Sequence, residues 1–364
     1  MHNRRDFLAL SAAGISLPLN GCADGDMEAY HLEVARQRTP PSIPPEMAEL
    51  IRYATLAANG HNTQPWLFAP YKTGISLQPD IRRTTRVVDP DDHHLYVSLG
   101  CAAENLLIAG GACGRPAAIA YDPSDHGHIL VDLGTATPRT SDLFEAIPKR
   151  QSTRSVYDGR MVSANDLRLL EEAASVEGVS TRLFVNPRQR EDILDFVVAG
   201  NSAQMDDPDF VQELLDWIRF NPHDAMRSGD GLFTAASGNP TLPTWLGTRL
   251  FGWFFEKETE NAKYAEQLRS SAGVAVFTGD REDNEHWVKV GRAFQRFALQ
   301  ATALGIRQAH INQPIEVPEI RREFADWLGA PDRRPDLVVR FGYAPPLPMS
   351  LRRPVDHVTT SVAS

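Results

Sequence analysis

Hydrophobic residues recur every three or four positions in two well-separated segments of the chain. Residues 100–114 (GCAAENLLIAGGACG) and residues 291–305 (GRAFQRFALQATALG) both show this spacing, and both end in glycine, which commonly stops a helix. The two segments match at five positions. We therefore predict one helix in each half of the chain, with small residues that let a neighbouring helix approach closely.

Two runs rich in β-branched residues follow these helices in the same order. ILVDLGTA at 129–136 and LVVRFGYA at 337–344 each predict a strand, and they share a glycine and an alanine at matching places. This order predicts a tandem duplication, with a first unit at 45–138 and a second unit at 144–358; chance similarity between two buried helices is the alternative. Helices alternating with short strands predict the α+β class. Two homologous units often form an intramolecular pseudo-dimer with a shared site between them.

The second unit carries an extra segment, residues 205–264, in which aromatic residues are dense. Its first part predicts a helix, and the Gly-, Pro- and Ser-rich residues 228–243 predict a loop. The segment is either a helical excursion that packs on the other unit or a lid over a planar ligand. The sequence leaves both interpretations open.

The N-terminal residues differ from the rest of the chain. Arg4 and Arg5 precede the apolar stretch Phe7–Leu19, which is too short to span a bilayer but has the length of a signal-peptide core. The pattern resembles a twin-arginine export signal, and LNGC, which ends at Cys22, resembles a lipobox that would leave this cysteine lipidated. We expect residues 1–22 to be a signal peptide for the twin-arginine export machinery, and the protein to be periplasmic or anchored to the membrane. A disordered, slightly apolar tail is the alternative.

Composition and charge narrow the choice of partners. The chain has 364 residues, enough for two domains, and its 42% apolar and 23% charged residues are ordinary for a globular protein. A net charge of −10 argues against a nucleic-acid partner, which needs a basic face. Residues 23–44 are polar and proline-rich and predict a linker. Cys101 and Cys113 lie roughly 18 Å apart along one helical pattern, which is too far for a disulfide.

Alternating polar residues after position 149 are candidates for anion binding. Arg150, Ser152 and Arg154 project to one side if the segment is extended. Two guanidinium groups and a hydroxyl suit a terminal phosphate, because arginine donates in pairs to anionic oxygens. A solvated basic strand is the alternative. Arg352 and Arg353 near the C-terminus become candidates for the same anion site only if the fold brings them close to this segment.

The sequence HNTQPW at 61–66 brings amide, hydroxyl and aromatic groups together. Such a cluster suits the rim of a flat heterocycle, and it equally suits a plain turn. The sequence has no Gly-x-Ser-x-Gly elbow and no zinc-type Cys/His spacing, so it predicts neither a protein nucleophile nor a metal site. We interpret the pairs His93-His94 and His126-Gly-His128 as surface residues rather than as metal ligands.

Four segments together resemble the nitroreductase superfamily. They are ANGHNTQPW (58–66), RQSTRSVYDGRMVSANDLRLLEEAA (150–174), GRAFQRFALQATALGI (291–306) and RRPVDHV (352–358). The first resembles the superfamily's Asn-x-Gln-Pro-Trp turn, and the second its opening Arg-x-Ser-x-Arg motif and first helix. The third and fourth resemble its later helix and its C-terminal basic motif. The overlap covers most of residues 45–358, and the combination resembles the Acg-like branch, in which two nitroreductase units are fused in one chain.

The resemblance implies an oxidoreductase that uses FMN. In homodimeric nitroreductases the FMN lies between subunits, one of which supplies the phosphate clamp and the other the Asn-x-Gln-Pro-Trp turn. Here the turn belongs to the first unit and the clamp to the second, which implies one FMN per chain. The electron acceptor would be a small, flat molecule such as a nitro compound or a quinone. The alternative is a protein that holds the flavin under a lid with little or no reductase turnover.

The resemblance also assigns roles to individual residues. It implies that Arg150, Ser152 and Arg154 hold the FMN phosphate, with help from Arg352 and Arg353. The other cofactor-binding candidates lie near the flavin ring and its reactive edge; they are His61, Asn62, Gln64, Pro65, Ala309 and His310. No catalytic residue of the protein's own is implied, because the flavin carries the electrons.

Overall fold

The computed structural model describes residues 20–360 of the chain. The predicted export signal at 1–22 falls outside these residues, apart from the backbone of its last three, and it stays a prediction.

Helices are the most abundant elements of the described residues. In chain order, the α-helices are α1 (Asn20–Gln37), α2 (Met47–Thr55), α3 (His93–Ala112), α4 (Asp142–Ala146), α5 (Ala164–Ala173), α6 (Pro187–Met205), α7 (Pro208–Trp217), α8 (Pro222–Ser228), α9 (Thr244–Phe254), α10 (Lys257–Arg269), α11 (Asn284–Ala303), α12 (Gln313–Glu316), α13 (Pro318–Trp327) and α14 (Val355–Val358). The strands are β1 (Trp66–Tyr71), β2 (Gly74–Pro79), β3 (Ala117–Asp122), β4 (His128–Leu133), β5 (Val179–Phe184), β6 (Ile218–Arg219), β7 (Leu232–Phe233), β8 (Gly273–Gly279), β9 (Arg307–His310) and β10 (Pro335–Gly342).

Two four-stranded sheets share one strand order. The first sheet runs β1-β2-β4-β3 and the second runs β5-β8-β10-β9. All neighbouring strands in both sheets are antiparallel. Along the chain, α3 lies between β2 and β3 of the first sheet, and α11 lies between β8 and β9 of the second sheet. The α+β class is confirmed, and each sheet lies within one of the two units expected from the sequence.

The long helices α3 and α11 cross at a pair of glycines. A Cβ atom on Gly100 would lie 2.0 Å from the backbone oxygen of Val288, and one on Gly291 would lie 2.0 Å from the backbone oxygen of Val97. Only glycine permits such an approach. The two contacts are reciprocal, because 291 − 100 and 288 − 97 both equal 191. An exchange of equivalent contacts is what a two-fold axis produces.

Polar contacts reinforce this crossing. The buried carboxylate of Glu104 accepts hydrogen bonds from Arg292 Nε and Arg296 Nη1, both at 2.9 Å. Beside it, Gln295 Nε2 donates to Asn105 Oδ1 at 2.7 Å. Two cations therefore compensate the buried acid, whose isolation would be costly.

Helix α3 is a core helix. Among the described helices it alone is long and apolar enough to cross a membrane, yet 83% of its most apolar window is buried inside the protein. Its burial comes from the crossing with α11, from the packing of α2 and from the first sheet.

The prediction of a linker at 23–44 is wrong for its first part, which forms α1. Tyr30 and Val34 lie one turn apart on this helix and are buried. They pack with Phe233 and Leu351 in a small hydrophobic cluster. The prolines that suggested a linker follow only after the helix ends. The N-terminal helix is therefore part of the folded body.

The aromatic segment 205–264 packs on the first unit and also reaches a cavity. The Glu213 carboxylate accepts from the backbone N–H of Val88 at 3.1 Å, and Asp230 forms an ion pair with Arg83. Four apolar residues of the segment face the larger of the two cavities described below; they are Phe210, Leu214, Leu232 and Phe255. The geometry is thus compatible with both interpretations of this segment, a packed excursion and a lid.

Candidate functional site

The turn that precedes β1 holds three non-glycine residues in the left-handed region. The φ angles of His61, Asn62 and Gln64 are 47°, 55° and 54°. Such strain costs of order 1–3 kcal/mol per residue and persists only where the surroundings enforce it. Asn59 supplies part of this support, since its Oδ1 accepts from the backbone N–H of Gln64 at 2.9 Å. The strain favours a functional role for this turn over a plain connection.

The side chain of Gln64 holds the turn in place through two hydrogen bonds. It is fully buried; its Nε2 donates to the carbonyl oxygen of Gly229 at 2.8 Å, and its Oε1 accepts from the backbone N–H of Arg353 at 2.8 Å. Gln64, Pro65 and Arg353 line neither cavity of the site. Gln64 and Arg353 fix the turn against two distant segments, and the contact of Gln64, Pro65 and Arg353 with a cofactor stays a prediction. Ala309 is likewise buried within β9 and lines neither cavity.

The smaller cavity, of about 50 Å³, is surrounded by guanidinium groups. Arg38, Arg150, Arg154 and Arg352 line it together with Ser152. Within the described part of the chain, none of these four arginines pairs with a carboxylate. Burial lowers the pKa of Arg38 and that of Arg150 to about 10. Burial, with repulsion from Arg38 and Arg150, holds the pKa of Arg352 well below its ordinary value. The cavity is a site of uncompensated positive charge.

Arg150 has donors that no described residue accepts. Its Nη2 donates to the carbonyl oxygen of Leu56 at 3.2 Å, whereas its Nε and Nη1 are buried without a hydrogen-bond partner. Buried polar groups are rarely left in this state. Unpaired guanidinium donors in a cationic cavity suit phosphate oxygens, which accept charge-assisted hydrogen bonds.

The fold brings the C-terminal basic motif to this cavity. Arg352 Nη1 donates to Asn62 Oδ1 at 2.9 Å and its Nε donates to the carbonyl oxygen of Thr55 at 2.6 Å. The segment around Ser152 is extended, as expected, but it forms only an isolated bridge with Gln308 of β9. The turn of the first unit and the arginines of the second therefore meet at one cavity.

The larger cavity, of about 220 Å³, adjoins the smaller one. Ala58, Asn59, Arg154 and Leu232 line both. Residues on the large cavity that can donate or accept hydrogen bonds come from both units; they include His61, His94, Ser98, Asn201, Gln204, Tyr264, His310, Asn312, Gln313 and Glu316. The two cavities together form a wide, amide-lined space that leads to a cationic end.

Three histidines of the large cavity differ in protonation. Burial lowers the pKa of His61 to about 4 and that of His310 to about 3, so both are neutral near pH 7. Burial also opposes protonation of His94, but a hydrogen bond to Glu316 and the charge of Asp89 outweigh it and raise the pKa of His94. His94 Nε2 lies 3.3 Å from Glu316 Oε1. The cavity wall thus carries two neutral imidazoles and a third, His94, whose protonated form is favoured by Glu316.

Asp89, His93 and His94 have the spacing of a metal site, but each has a partner in the fold. Asp89 accepts from the backbone N–H groups of His94 and Leu95 at the start of α3, and His93 Nε2 lies 2.8 Å from Asp336 Oδ1. His93 is fully buried, so its interpretation as a surface residue is wrong. Capping of α3 by Asp89 and the buried pair of His93 and Asp336 account for this cluster.

Sequence reasoning missed three charged residues of the site. Arg38 lies just after α1, in the segment expected to be a linker, and His94 and Glu316 belong to no recognisable motif. One signal was available for His94, because the doublet HH stands at the N-terminus of a strongly apolar helix. Of the residues predicted from sequence, His61, Asn62, Arg150, Ser152, Arg154, His310 and Arg352 line a cavity.

Comparison with known proteins supports the resemblance to nitroreductases. The chain is 25% identical over 320 residues to two Mycobacterium tuberculosis proteins, from strains CDC 1551 and H37Rv, that each bear the name "Putative NAD(P)H nitroreductase". The alignment covers 85% of this chain and 89% of each relative. No protein-family model matches the chain.

Solved structures align with part of the chain. A nitroreductase with bound FMN from Bacteroides fragilis is 20% identical, with a TM-score of 0.35, over 57% of this chain and 90% of that chain. A nitroreductase with bound FMN from Desulfitobacterium hafniense is 16% identical, with a TM-score of 0.38, over 62% of this chain and 100% of that chain.

Proposed function

We propose that this protein is an FMN-dependent oxidoreductase of the nitroreductase type, with one flavin held at the junction of its two units. The observation that carries the proposal is the pair of adjoining cavities, one wide and lined by amides and imidazoles, the other small and cationic. The names of the two Mycobacterium relatives support the reaction type. The acceptor is a small, flat molecule, a nitro compound or a quinone.

The residues present fit FMN at both ends. The phosphate would be held by Arg38, Arg150, Arg154 and Arg352, because Arg150 has two orphaned donors and no described carboxylate competes for the four guanidinium groups. Ser152 would add a hydroxyl donor. The ring system would lie in the larger cavity, where donors and acceptors from both units can reach its rim.

The protein's own groups would orient the reactants and hold a proton. Bound here, FMN supplies transfer of electrons or hydride between a donor and an acceptor. The hydrogen bond to Glu316 raises the pKa of His94 and so favours its protonated form, and His94 is the group placed on the cavity wall to keep a proton near the acceptor. Phe210, Leu214 and Phe255 of the segment 205–264 line the same space and would exclude water from it.

Holding flavin without turnover is the second candidate function. The apolar residues that the segment 205–264 places on the large cavity favour it, because a closed cover would block an acceptor. The two functions make different demands on that segment: turnover requires it to open, whereas sequestration requires it to stay shut.

The proposal also covers the duplicated architecture of the chain and its export. The shared strand order and the reciprocal glycine contacts support a tandem duplication and an intramolecular pseudo-dimer, as in the Acg-like branch. The sequence pattern of residues 1–22 supports export by the twin-arginine route, which carries folded proteins and could move the flavin out already bound. The protein would then be periplasmic, or anchored to the membrane through Cys22.

Absorbance and rapid kinetics test the proposal. The purified chain should show the bands of oxidised flavin, and FMN released by denaturation should amount to one per chain. Mixing with NADPH, with NADH or with dithionite, followed by a nitro compound or a quinone, should bleach and then restore these bands. A chain that binds no flavin overturns the proposal, and a flavin that dithionite alone reduces favours sequestration.

A further inference from the structure

We propose that the N-terminal helix α1, together with Arg38 directly after it, is a strap that completes the phosphate site, so that docking of this helix and binding of a phosphate group are coupled. The inference rests on the proposed function for the identity of the phosphate carrier. It concerns residues that the nitroreductase resemblance does not cover, since that resemblance begins near residue 45.

The C-terminal end of the strap contacts a wall of the small cavity. Gln37 Nε2 donates to the carbonyl oxygen of Arg352 at 2.9 Å, and Gln37 Oε1 accepts from the backbone N–H of Arg352 at 2.8 Å. Arg38 Nη2 donates to the carbonyl oxygen of Ser350 at 2.8 Å. Arg38, Ser350 and Arg352 all line the cavity. The strap therefore holds the arginine of the C-terminal motif and adds one of its own.

Apolar packing fixes the rest of the strap. The hydroxyl of Tyr30 donates to the carbonyl oxygen of Met349 at 2.6 Å, and the Tyr30 ring lies 4.6 Å from that of Phe233 between centroids. Val34 and Leu351 complete the contact. This cluster is small and separate from the main core, so the strap can undock without unfolding either sheet.

The charge of Arg38 couples docking of the strap to the presence of a phosphate in the small cavity. Arg38 lies half-buried beside Arg150 and Arg352; the charge of Arg150 lowers the pKa of both Arg38 and Arg352, and the charge of Arg38 also lowers the pKa of Arg352. With no anion present, this repulsion favours release of Arg38 and of the helix that carries it. A phosphate dianion reverses the balance, because each guanidinium then gains a charge-assisted hydrogen bond. Coupling of this kind is reciprocal, so the docked strap must also tighten phosphate binding.

Hydrogen exchange of the full chain tests the coupling. Amides of residues 28–37 should exchange more slowly when FMN or inorganic phosphate is added, whereas riboflavin, which lacks the phosphate, should leave them unchanged. Arg38→Gln should abolish this slowing and weaken FMN binding about 10- to 100-fold, while riboflavin binding stays the same. Arg36→Gln is the matched control, because Arg36 is exposed and pairs with Glu33 of the same helix.

A second variant separates coupling from direct contact. Tyr30 lines neither cavity. Tyr30→Ala should nevertheless weaken FMN binding, because it destabilises the docked strap.

The outcomes distinguish this inference from the proposed function. If FMN binds to the wild-type chain but neither ligand alters exchange in residues 28–37, the strap is overturned and the proposed function stands. If FMN does not bind but inorganic phosphate slows exchange in α1, the strap stands and the proposed function fails. Unchanged FMN affinity in Arg38→Gln also overturns the strap.

Discussion

At the residue scale, single side chains set the charge of the large cavity. His61 and His310 are kept neutral by burial, His94 is paired with Glu316, and the guanidinium group of Arg154 lies where the large cavity meets the small one. Free charge would be costly in such a space, and a neutral, flat acceptor would gain little from it. The balance of charge therefore fits the class of acceptor proposed above.

The His94–Glu316 pair predicts a pH dependence of stability. The pKa of His94 is raised above 6.5 in the folded protein, so its contribution is full below that value and is lost as the pH rises through the raised pKa. The pKa of Glu316 is lowered below 4.5, so its contribution is present above 4.5 and is lost as the pH falls through the lowered pKa. The pair should stabilise the fold most between these limits, near pH 5–6.

Urea unfolding at a series of pH values checks this dependence. Glu316→Gln should lower the free energy of unfolding by about 2 kcal/mol near pH 6, and this loss should shrink as the pH rises through the raised pKa of His94. Glu319→Gln is the control, because Glu319 is exposed and pairs with the exposed Arg322. A loss that is the same at pH 6 and pH 9 would contradict the assigned protonation.

At the element scale, the crossing of α3 and α11 decides how closely the units pack. Gly100 and Gly291 each face a carbonyl oxygen of the opposite helix, with no space for a side chain. Glu104, Arg292 and Arg296 then tie the same two helices through a buried ion-pair network. Close backbone contact and a compensated charge together make this crossing rigid.

A methyl group at the crossing should be poorly tolerated. Gly100→Ala should lower the free energy of unfolding by about 3 kcal/mol, because the new Cβ would meet a backbone oxygen that cannot move aside. Gly111→Ala on the same helix should instead raise it by about 0.5–1 kcal/mol, since nothing lies within 4 Å of the new atom and alanine favours a helix. Thermal or urea unfolding of both variants measures the contrast, and equal effects would show that the crossing is not tightly packed.

Local patterns predicted elements better than they predicted contacts. The spacing at 100–114 and 291–305 located α3 and α11 to within a turn or two at each end, and the β-branched runs located β4 and β10. The role of Gln64 could not be found in this way, because its partners Gly229 and Arg353 are 165 and 289 residues away. Helix α1 was missed because the prolines after it dominated the composition of the segment.

At the scale of the whole molecule, neither unit holds a complete site. The turn with His61 and Asn62 belongs to the first unit, whereas Arg150, Ser152 and Arg154 belong to the second. The larger cavity draws on both units in the same way. The motifs allowed the division of the site between the two units to be predicted from sequence. The strap that completes the phosphate site could not be predicted, since no motif marks Arg38.

Separation of the units should therefore abolish folding as well as binding. Residues 20–140 and 141–364 produced as separate chains should each be unfolded or aggregated, because each would expose one face of the α3–α11 crossing and leave the ions of the Glu104 network unpaired. Far-UV circular dichroism and gel filtration of each chain, with the intact protein as the reference, check this. A half that folds alone and binds FMN would contradict the division of the site.

The hydrogen bond between Tyr30 and Met349 spans 319 residues of sequence. During translation at ~5–20 residues per second, Met349 is added roughly 16–64 s after Tyr30. Helix α1 therefore leaves the ribosome long before the surface that receives it exists. Throughout synthesis α1 stays free to be recognised by other factors, and it can dock on the finished body only after Met349 has been added.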